Sequence, residues 1–281
     1  MKTSTPPCIL TIAGSDSGGG AGIQADLKTI ASLGGFGVSA ITALTAQNGL
    51  GVYGIHAPEP SFIKKQLETI FEGFPLAAAK TGMLFSANII HAVVDTLEAS
   101  NQYFPLVVDP VCVSQSGHQL LEESAICALK QRMFPLATLL TPNRPEAELL
   151  AGMTIDTDAS IAEVINRLLG MGAKAVLLKG GHFESTPHMT DWLGLPGSPP
   201  LPLSHPRVET NNNHGTGCTL SAAIATGLGQ GMTMTNAVLH AQRYLNLGLS
   251  YSYTPGKGFG PPNHMAWIEK KYKKGTSVVT V

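Results

Sequence analysis

Short apolar runs alternate with longer amphipathic stretches along this chain of 281 residues. Each run is rich in Ile, Val, Leu and Ala and is followed by a polar residue or a glycine, which is typical of buried strands. The runs predict strands at Ile9–Ala13, Gly37–Ala46, Leu76–Lys80, Leu106–Asp109, Thr138–Thr141 and Ala175–Lys179.

The stretches between these runs carry apolar residues at helical spacing. They predict helices at Ile23–Leu33, Ser61–Phe71, Ala87–Ala99, Ile161–Met171, Gly217–Gly229 and Thr233–Tyr251. Alternation of strands and helices indicates an α/β fold, with a mostly parallel sheet covered by helices on both faces. We interpret the Pro-rich segment Leu195–Pro206 as a surface loop and Lys270–Val281 as a frayed end. No internal repeat or linker interrupts the pattern, so we predict a single domain over residues 1–281.

Composition and charge exclude several classes of protein. A hydrophobic content of 43% with 13% charged residues indicates a large core. The formal net charge of −1 offers no basic surface for nucleic acid, and no stretch approaches the ~18 apolar residues of a membrane span. The four cysteines Cys8, Cys112, Cys127 and Cys218 form no CxxC pair. We therefore expect neither a zinc site nor a disulfide scaffold, and we expect a reducing, cytoplasmic location.

Polar residues and glycines follow every predicted strand. In open α/β sheets, ligands bind beyond the carboxyl ends of the strands. Each strand end by itself also fits an ordinary turn, but together they predict one shared ligand cleft. The segments are Gly14–Asp16, Gln47–Asn48, Thr81–Met83, Asp109–Pro110, Thr141–Asn143 and Lys179–Gly181.

Two glycine-rich segments precede predicted helices. Gly18–Gly22 begins a formal GxGxxA pattern, but no acidic residue between Asp26 and Glu59 could hold a ribose, which disfavours a nicotinamide-dependent oxidoreductase. A flexible turn and close backbone approach to a small substrate both remain open for this segment. His214–Ala223 leads into a helix of small residues, whose N-terminus favours an anion. The chain contains no Walker A pattern.

The ordered set of short motifs resembles the hydroxymethylpyrimidine/phosphomethylpyrimidine kinases of thiamine biosynthesis, in the ribokinase-like superfamily. The motifs are Ala13–Asp16 with Gly19–Thr29, Ile41–Asn48, Lys80–Leu84, Val108–Val111, Thr141–Asn143 with Glu146, Lys179–His182, Asn213–Ser221, and Gly258–Pro261 with His264. The resemblance covers nearly the whole chain. It implies a three-layer α/β/α sandwich, ATP and Mg²⁺ as cofactors, and a homodimer. It also implies two successive phosphorylations of 4-amino-5-hydroxymethyl-2-methylpyrimidine, to the monophosphate and then the diphosphate.

The resemblance also implies a set of substrate-binding residues. The Gln47 amide would give and take hydrogen bonds with the aminopyrimidine edge, and Asp26 would accept one from its amino group. Met83 and Val111 would pack around the ring, and Gly14 completes the set.

A second implied set serves phosphoryl transfer. Gly215, Thr216 and Gly217 would form the anion hole that stabilises the transition state, and Lys179 would contact phosphate. The nucleotide and magnesium side would be formed by Asp109, Asn143 and Glu146. Within this network, Asp109 and Glu146 are the residues expected on the Mg²⁺ ion, which keeps several of its waters in proteins.

Cys218 matches the position of the catalytic base in many ribokinase-like enzymes. A helix N-terminus lowers the pKa of a thiol, so a thiolate base fits this position; a small buried cysteine is the alternative. Because the second acceptor is already an anionic phosphate, we expect Cys218→Ala to impair the first phosphorylation more than the second.

Two alternatives stay open at this point. Pyridoxal kinases of the same family use two cysteines, one of them in a flap over the site. A flap is predicted here over 112–118, and Cys112 stands where the family usually has methionine. The flap cysteine of the pyridoxal kinases, however, matches Ser114. The intact Ala46–Asn48 motif favours pyrimidine. A non-catalytic pyrimidine-binding module is disfavoured by intact Lys179 and Gly215–Cys218. His182, His188 and His214 show no metal-ligand spacing.

Overall fold

The computed structural model describes residues 5–112, 121–180 and 187–273, with side chains up to residue 270. The strands are β1 (Cys8–Asp16), β2 (Phe36–Asn48), β3 (Gly51–His56), β4 (Leu76–Thr81), β5 (Leu106–Val108), β6 (Leu139–Leu140), β7 (Val176–Leu178), β8 (His188–Gly194) and β9 (Leu201–Pro206). The helices are α1 (Gly22–Ser32), α2 (Pro60–Gly73), α3 (Ala87–Ala99), α4 (Glu123–Ala128), α5 (Arg144–Ala151), α6 (Asp158–Gly170), α7 (Thr216–Gly229), α8 (Met234–Ser250) and α9 (Ala266–Lys273).

The nine strands of the described residues form one sheet in the order β3-β2-β1-β4-β5-β6-β7-β8-β9. The pairs from β2 to β7 are all parallel. The outer pairs β2–β3, β7–β8 and β8–β9 are antiparallel. The predicted mostly parallel sheet is therefore confirmed, with antiparallel additions at both edges.

Helices cover both faces of this sheet. Because successive residues of a strand point to opposite sides, each buried strand contributes apolar side chains to two separate cores. Leu10 and Ile12 face a core shared with α2 to α6. Ile9, Val107 and Leu177 face the other core, which is shared with α1, α7 and α8. The three-layer α/β/α arrangement is confirmed. No helix among the described ranges is long and apolar enough to cross a membrane.

The sheet edges differ from the sequence prediction. Leu195–Pro206 is not all loop, because Leu201–Pro206 forms β9 and pairs with β8. Prolines are tolerated on an edge strand, where one side needs no ladder bonds. β3 and β8 were also not predicted; every residue of β3 is exposed, so this strand has no buried apolar face to reveal it. Residues 270–273 of the predicted frayed end belong to α9, and 274–281 lie outside the described residues.

A fully buried ion pair connects three of the central elements. Lys80 on β4 has its Nζ 3.1 Å from both carboxylate oxygens of Asp26 on α1, and neither side chain is exposed. The Thr11 hydroxyl on β1 donates to Asp26 at 2.6 Å. Although burial opposes charge on the lysine, the nearby carboxylate raises the pKa of Lys80, so the ammonium form persists.

We expect Lys80→Met to lower the free energy of unfolding by about 3–5 kcal/mol, because it leaves Asp26 as an uncompensated buried charge. Denaturant unfolding checks this. Lys64→Met is the matched control: Lys64 forms an exposed i,i+4 pair with Glu68 at 3.7 Å and should cost only about 0.3–0.5 kcal/mol. Asp26→Leu combined with Lys80→Met should recover most of the loss. Equal losses for Lys80→Met and Lys64→Met would contradict a charged buried pair.

Candidate active site

A cavity of about 640 Å³ opens at the carboxyl ends of the parallel strands. Residues at or just beyond the carboxyl ends of β1, β2, β4, β5 and β7 line it, together with the N-terminus of α7. The predicted site residues on its wall are Gly14, Gln47, Met83, Asp109, Val111, Asn143, Glu146, Lys179, Gly215, Thr216, Gly217 and Cys218. The strand-end rule therefore located the cleft correctly.

Asp26 is the predicted site residue that the structure does not bring to the cavity wall. Its side chain is fully buried, and both carboxylate oxygens are engaged by Lys80 and Thr11. The expectation of direct contact with a substrate amino group is corrected accordingly. The pair nevertheless lies close behind the cavity, since Lys80 Nζ is 3.1 Å from the point where a Cβ on Gly82 would stand.

Gln47 sits at an irregular point of the β2–β3 pairing. The register shifts between Ala46 and Gln47, and such a bulge changes the direction of the side chain that follows. The Ser17 hydroxyl holds the Gln47 backbone, because it donates to the Gln47 carbonyl at 2.9 Å and accepts from its N–H at 2.8 Å. The Gln47 backbone is therefore held by Ser17, and its side chain lines the cavity.

Apolar side chains form the wall next to Gln47. A Cβ on Gly14 would stand 2.7 Å from the terminal methyl of Met83, so the glycine lets Met83 lie across this position. Val111 has φ 43°, a left-handed conformation that is strained for a β-branched residue and is found mostly at functional sites. These three residues offer a surface suited to one face of a flat ring.

Asp16 organises the first glycine-rich loop. Its carboxylate accepts from the N–H groups of Gly18 at 2.8 Å, Gly20 at 3.0 Å and Ala21 at 2.8 Å. Burial alone would raise the pKa of Asp16, but the hydrogen bonds from His214 and from the backbone outweigh it and hold the pKa below its usual value. Gly18–Gly22 is thus an ordered turn around an anionic side chain.

The N-terminus of α7 lies against this first loop. Gly215 has φ 80°, and a Cβ there would overlap the carbonyl oxygen of Gly20. The first turn of a helix carries N–H groups without intrahelical acceptors and the positive end of the helix dipole. Because Gly215–Cys218 line the cavity, the electrostatics of this end of the helix suit an anion.

Lys179 faces two carboxylates across the cavity floor. Its Nζ is 3.1 Å from Asp109 Oδ1, and Thr141 donates to the same oxygen at 3.3 Å. Burial opposes its charge, yet Asp109 and Glu146 raise the pKa of Lys179. A Cβ on Gly217 would be 3.5 Å from Lys179 Nζ and 3.3 Å from Asp109 Oδ2. Lys179 Nζ therefore lies next to the first turn of α7, at Gly217.

Glu146 and Asn143 form a capping box at the start of α5. Asn143 Oδ1 accepts from the Glu146 N–H, and Glu146 Oε2 accepts from the Asn143 N–H, both at 2.9 Å. Burial raises the pKa of Glu146 to about 7, against the opposing effect of Lys179. This carboxyl group is poised to gain a negative charge when a cation approaches it.

The described residues contain no group of three or more His, Cys, Asp or Glu side chains arranged to hold a metal. Asp109 and Glu146 both line the cavity, and both act on Lys179. Two carboxylates suit Mg²⁺ when phosphate oxygens and waters complete its coordination. The residues present therefore fit a loosely held, substrate-bound Mg²⁺.

The surroundings of Cys218 do not favour the acidic thiol that the sequence suggested. Burial raises the pKa of Cys218 to about 11, although the Lys80 ammonium group acts in the opposite direction. Desolvation of the thiolate thus outweighs the effect of Lys80 and of the backbone hydrogen bond from Gly22. Cys112 is buried, lies in the core, and has a pKa raised by burial to about 12. The remaining predicted flap residues, including Ser114, and Gly181 and His182 lie outside the described residues.

Sequence reasoning missed a polar cluster on the far side of the cavity. Asp191 on β8 accepts from the Gly180 N–H and from Gln242, both at 2.7 Å. His205 on β9 lies 3.4 Å from the same carboxylate. No sequence signal pointed to this cluster, because β8 and β9 themselves were not predicted. Asp16 and His214 both lie in the motifs that carry the resemblance, but no role was predicted for either side chain.

The fold and the site together define a ribokinase-like small-molecule kinase class. The pyridoxal kinase of Bacillus subtilis, solved as an ADP complex, superposes with a TM-score of 0.85 at 32% identity, covering 94% of this chain and 100% of that one. A phosphomethylpyrimidine kinase from Clostridium difficile 630 superposes with a TM-score of 0.75 at 41% identity, covering 85% of this chain and 97% of that one.

Within that class, the chain belongs to the phosphomethylpyrimidine kinase family, whose sequence profile matches residues 16–263. The hydroxymethylpyrimidine/phosphomethylpyrimidine kinase of Haemophilus influenzae is 46% identical over 261 residues, 92% of this chain and 97% of that protein. The bifunctional thiamine biosynthesis protein ThiED of Geobacter sulfurreducens is also 46% identical, over 93% of this chain but 53% of its own length. The family resemblance seen in the sequence is confirmed.

We expect alkylation of Cys218 by iodoacetamide to be slow at neutral pH and to rise about tenfold per pH unit towards pH ~11, because only the thiolate reacts. Mass spectrometry of the labelled peptides measures this rate. Cys127 is exposed and serves as an internal control for reagent activity. A labelling rate of Cys218 that is already half-maximal at or below pH ~8.5 would contradict the effect of burial.

Proposed function

We propose that this protein phosphorylates 4-amino-5-hydroxymethyl-2-methylpyrimidine with ATP, and then phosphorylates the monophosphate to the diphosphate, for thiamine biosynthesis. One observation carries the proposal: Lys179 and the N-terminus of α7 converge in the cavity whose wall also holds Gln47, Met83 and Val111. A ring-binding surface and a phosphate-binding surface thus share one cavity. The names of the relatives, which are kinases of this pyrimidine, support the same substrate.

The reaction forms a bond between the acceptor oxygen and the γ-phosphorus of ATP and breaks the bond from that phosphorus to the bridging oxygen of ADP. Gly215–Cys218 and Lys179 stabilise the negative charge on the transferring group, which is the main demand of a loose transition state. When bound, Mg²⁺ neutralises phosphate charge, and Asp109 and Glu146 are the residues that would hold it. Asn143 fixes Glu146 through the capping box.

Cys218 keeps its own proton at neutral pH, because burial raises the pKa of its thiol to about 11. The proton of the acceptor hydroxyl then passes to a phosphate oxygen or to water, since a loose transition state needs little help from a base. Cys218 contributes to the stabilisation of charge on the transferring group through its position in the first turn of α7.

Pyridoxal is the second candidate substrate, and structural relatives at about 30% identity carry that activity. The second cysteine of those enzymes is missing, because serine stands at the matching position 114 and Cys112 is buried in the core and does not line the cavity. Gln47 adds to the argument, since it faces the cavity with the family's Ala46–Asn48 motif intact.

The remaining proposals concern assembly and location. A homodimer is supported by an exposed apolar surface on the β2–β3 hairpin, formed by Leu44, Leu50, Val52, Tyr53 and Ile55. Residues 36–58 contain no Asp, Glu, Lys or Arg, so a second copy could cover this surface without burying charge. We also propose a cytoplasmic location, and a single kinase domain over 1–281 remains a prediction.

We expect Lys179→Met to lower kcat for both pyrimidine acceptors by about 10²–10³-fold, the usual effect of removing one group that stabilises transition-state charge. Product formation from ATP, followed by mass analysis, measures it. Lys174→Met is the matched control, since this lysine is exposed and lies just before the same strand, β7; its activity should be unchanged. Lys179→Met with near wild-type kcat would refute the assigned role.

We expect Cys218→Ala to reduce both phosphorylations to a similar extent, because a protonated thiol cannot act as base in either step. The two rates are measured separately, with hydroxymethylpyrimidine and with its monophosphate as acceptor. Cys218→Ser, which keeps a small polar group, should be the milder change. A large loss confined to the first step would restore the thiolate base that the sequence suggested.

A further inference from the structure

His214 lies between the first glycine-rich loop and the N-terminus of α7, where its ring contacts a carboxylate and an amide. Its Nε2 is 2.9 Å from Asp16 Oδ2 and 3.4 Å from the side-chain nitrogen position of Gln47. A Cβ on Gly20 would stand 2.5 Å from the ring carbon Cδ2, so the absence of a side chain there makes room for the imidazole. The ring is held in one place.

The hydrogen bonds of Asp16 decide which His214 nitrogen carries a proton. Asp16 accepts three backbone N–H groups, and its pKa is held below the usual value. An ionised carboxylate can only accept hydrogen bonds. His214 Nε2 must therefore carry a hydrogen and donate it to Asp16, whether the ring is neutral or charged.

The hydroxyl of Thr45 imposes a matching constraint on the other side of Gln47. Thr45 Oγ1 lies 2.9 Å from the Ser15 carbonyl and 3.1 Å from the side-chain oxygen position of Gln47. A hydroxyl has one hydrogen, and a carbonyl can only accept. The hydrogen goes to Ser15, so Thr45 offers Gln47 only a lone pair.

Both neighbours consequently require the same orientation of the Gln47 amide. The oxygen and nitrogen of a glutamine amide have nearly the same shape, so hydrogen bonding decides between the two orientations. A nitrogen facing His214 would set two donors against each other, and an oxygen facing Thr45 would set two acceptors against each other. The consistent arrangement directs the Gln47 oxygen to His214 and its NH₂ group to Thr45. The single Nε2 hydrogen points mainly at Asp16, at 2.9 Å, and is shared only weakly with the Gln47 oxygen, at 3.4 Å.

We propose that His214 is a positioning residue that fixes the Gln47 amide for recognition of an amidine edge, meaning an exocyclic N–H donor beside a ring-nitrogen acceptor. In this orientation the Gln47 oxygen keeps one lone pair, and its nitrogen keeps one hydrogen, for a ligand. A 4-aminopyrimidine presents the complementary donor and acceptor side by side. Pyridoxal has no such edge. The substrate part of this inference rests on the function proposed above.

The kinetic test compares two substitutions of His214. His214→Leu removes the N–H donor, whereas His214→Gln keeps an N–H at about the reach of Nε2. His214→Leu should raise KM for the aminopyrimidine about threefold, the low end of the range for one hydrogen bond, because the Nε2 hydrogen is shared with Asp16, while KM for ATP changes little. His214→Gln should recover most of that loss. His91→Leu is the control, because His91 is an exposed histidine on α3.

A double-mutant cycle separates positioning from general damage to the fold. If His214 acts through Gln47, His214→Leu should add little to the effect of Gln47→Ala on KM for the aminopyrimidine. Additive losses, equal effects of the Leu and Gln substitutions, or a matching rise in KM for ATP would each overturn the proposal.

A turnover-independent measurement distinguishes failure of this inference from failure of the proposed function. Long-range proton–nitrogen NMR of ¹⁵N-labelled protein reports the protonation state of each histidine nitrogen, and His214 is assigned by loss of its signals in His214→Gln. We expect protonated Nε2 throughout the neutral range. An unprotonated Nε2 would overturn the inference even if the enzyme turned over pyrimidine. A protonated Nε2 in an enzyme inactive on pyrimidine would refute only the substrate.

Discussion

The close packing of α7 against the sheet and the first glycine-rich loop is the constraint on which the site depends. Every residue from Thr219 to Gly227 is buried, which places this helix inside the protein. Gly227 would contact Ala237, and Gly229 would contact Ile9, if either carried a side chain. At the other end Gly215 touches Gly20 directly. Because small residues bring these backbones together, the N-terminus of α7 has a fixed position relative to the strand ends.

Buried charge around that terminus gives the cavity its chemical character. Lys80 and Lys179 both keep raised pKa values because carboxylates lie beside them. The cost of burying these ions is met by their pairing with Asp26 and Asp109. Lys179 is thus a fixed cation on the cavity wall, which suits phosphate groups, and Lys80 lies close behind it. Burial also raises the pKa of the Cys218 thiol, against the opposing effect of Lys80, and so disfavours a thiolate at this position.

The central sheet could be predicted from sequence because its strands are short, apolar and closed by polar residues or glycines. α3 was predicted with its observed bounds, Ala87–Ala99. β3 and β9 could not be predicted, since edge strands with exposed residues and prolines lack a clear apolar face. The positions of Gln47 and of the glycine turn at 215–217 on the cavity wall followed from motifs whose places the fold preserves.

The features that the sequence could not provide are those that depend on several distant residues at once. The burial of Asp26 against Lys80 joins residues on different elements, and the raised pKa of Cys218 depends on the depth at which α7 begins. The Asp191 cluster required β8 and β9. The orientation of Gln47 required hydrogen bonds from Thr45 and His214, which no local pattern reveals.

The most direct measurement is a competition assay with purified protein, ATP and Mg²⁺, in which hydroxymethylpyrimidine, its monophosphate and pyridoxal are offered together and the products are identified by mass. The account predicts the pyrimidine monophosphate and then the diphosphate, with little pyridoxal phosphate. Pyridoxal phosphate as the main product, or no phosphorylated pyrimidine at all, would contradict it.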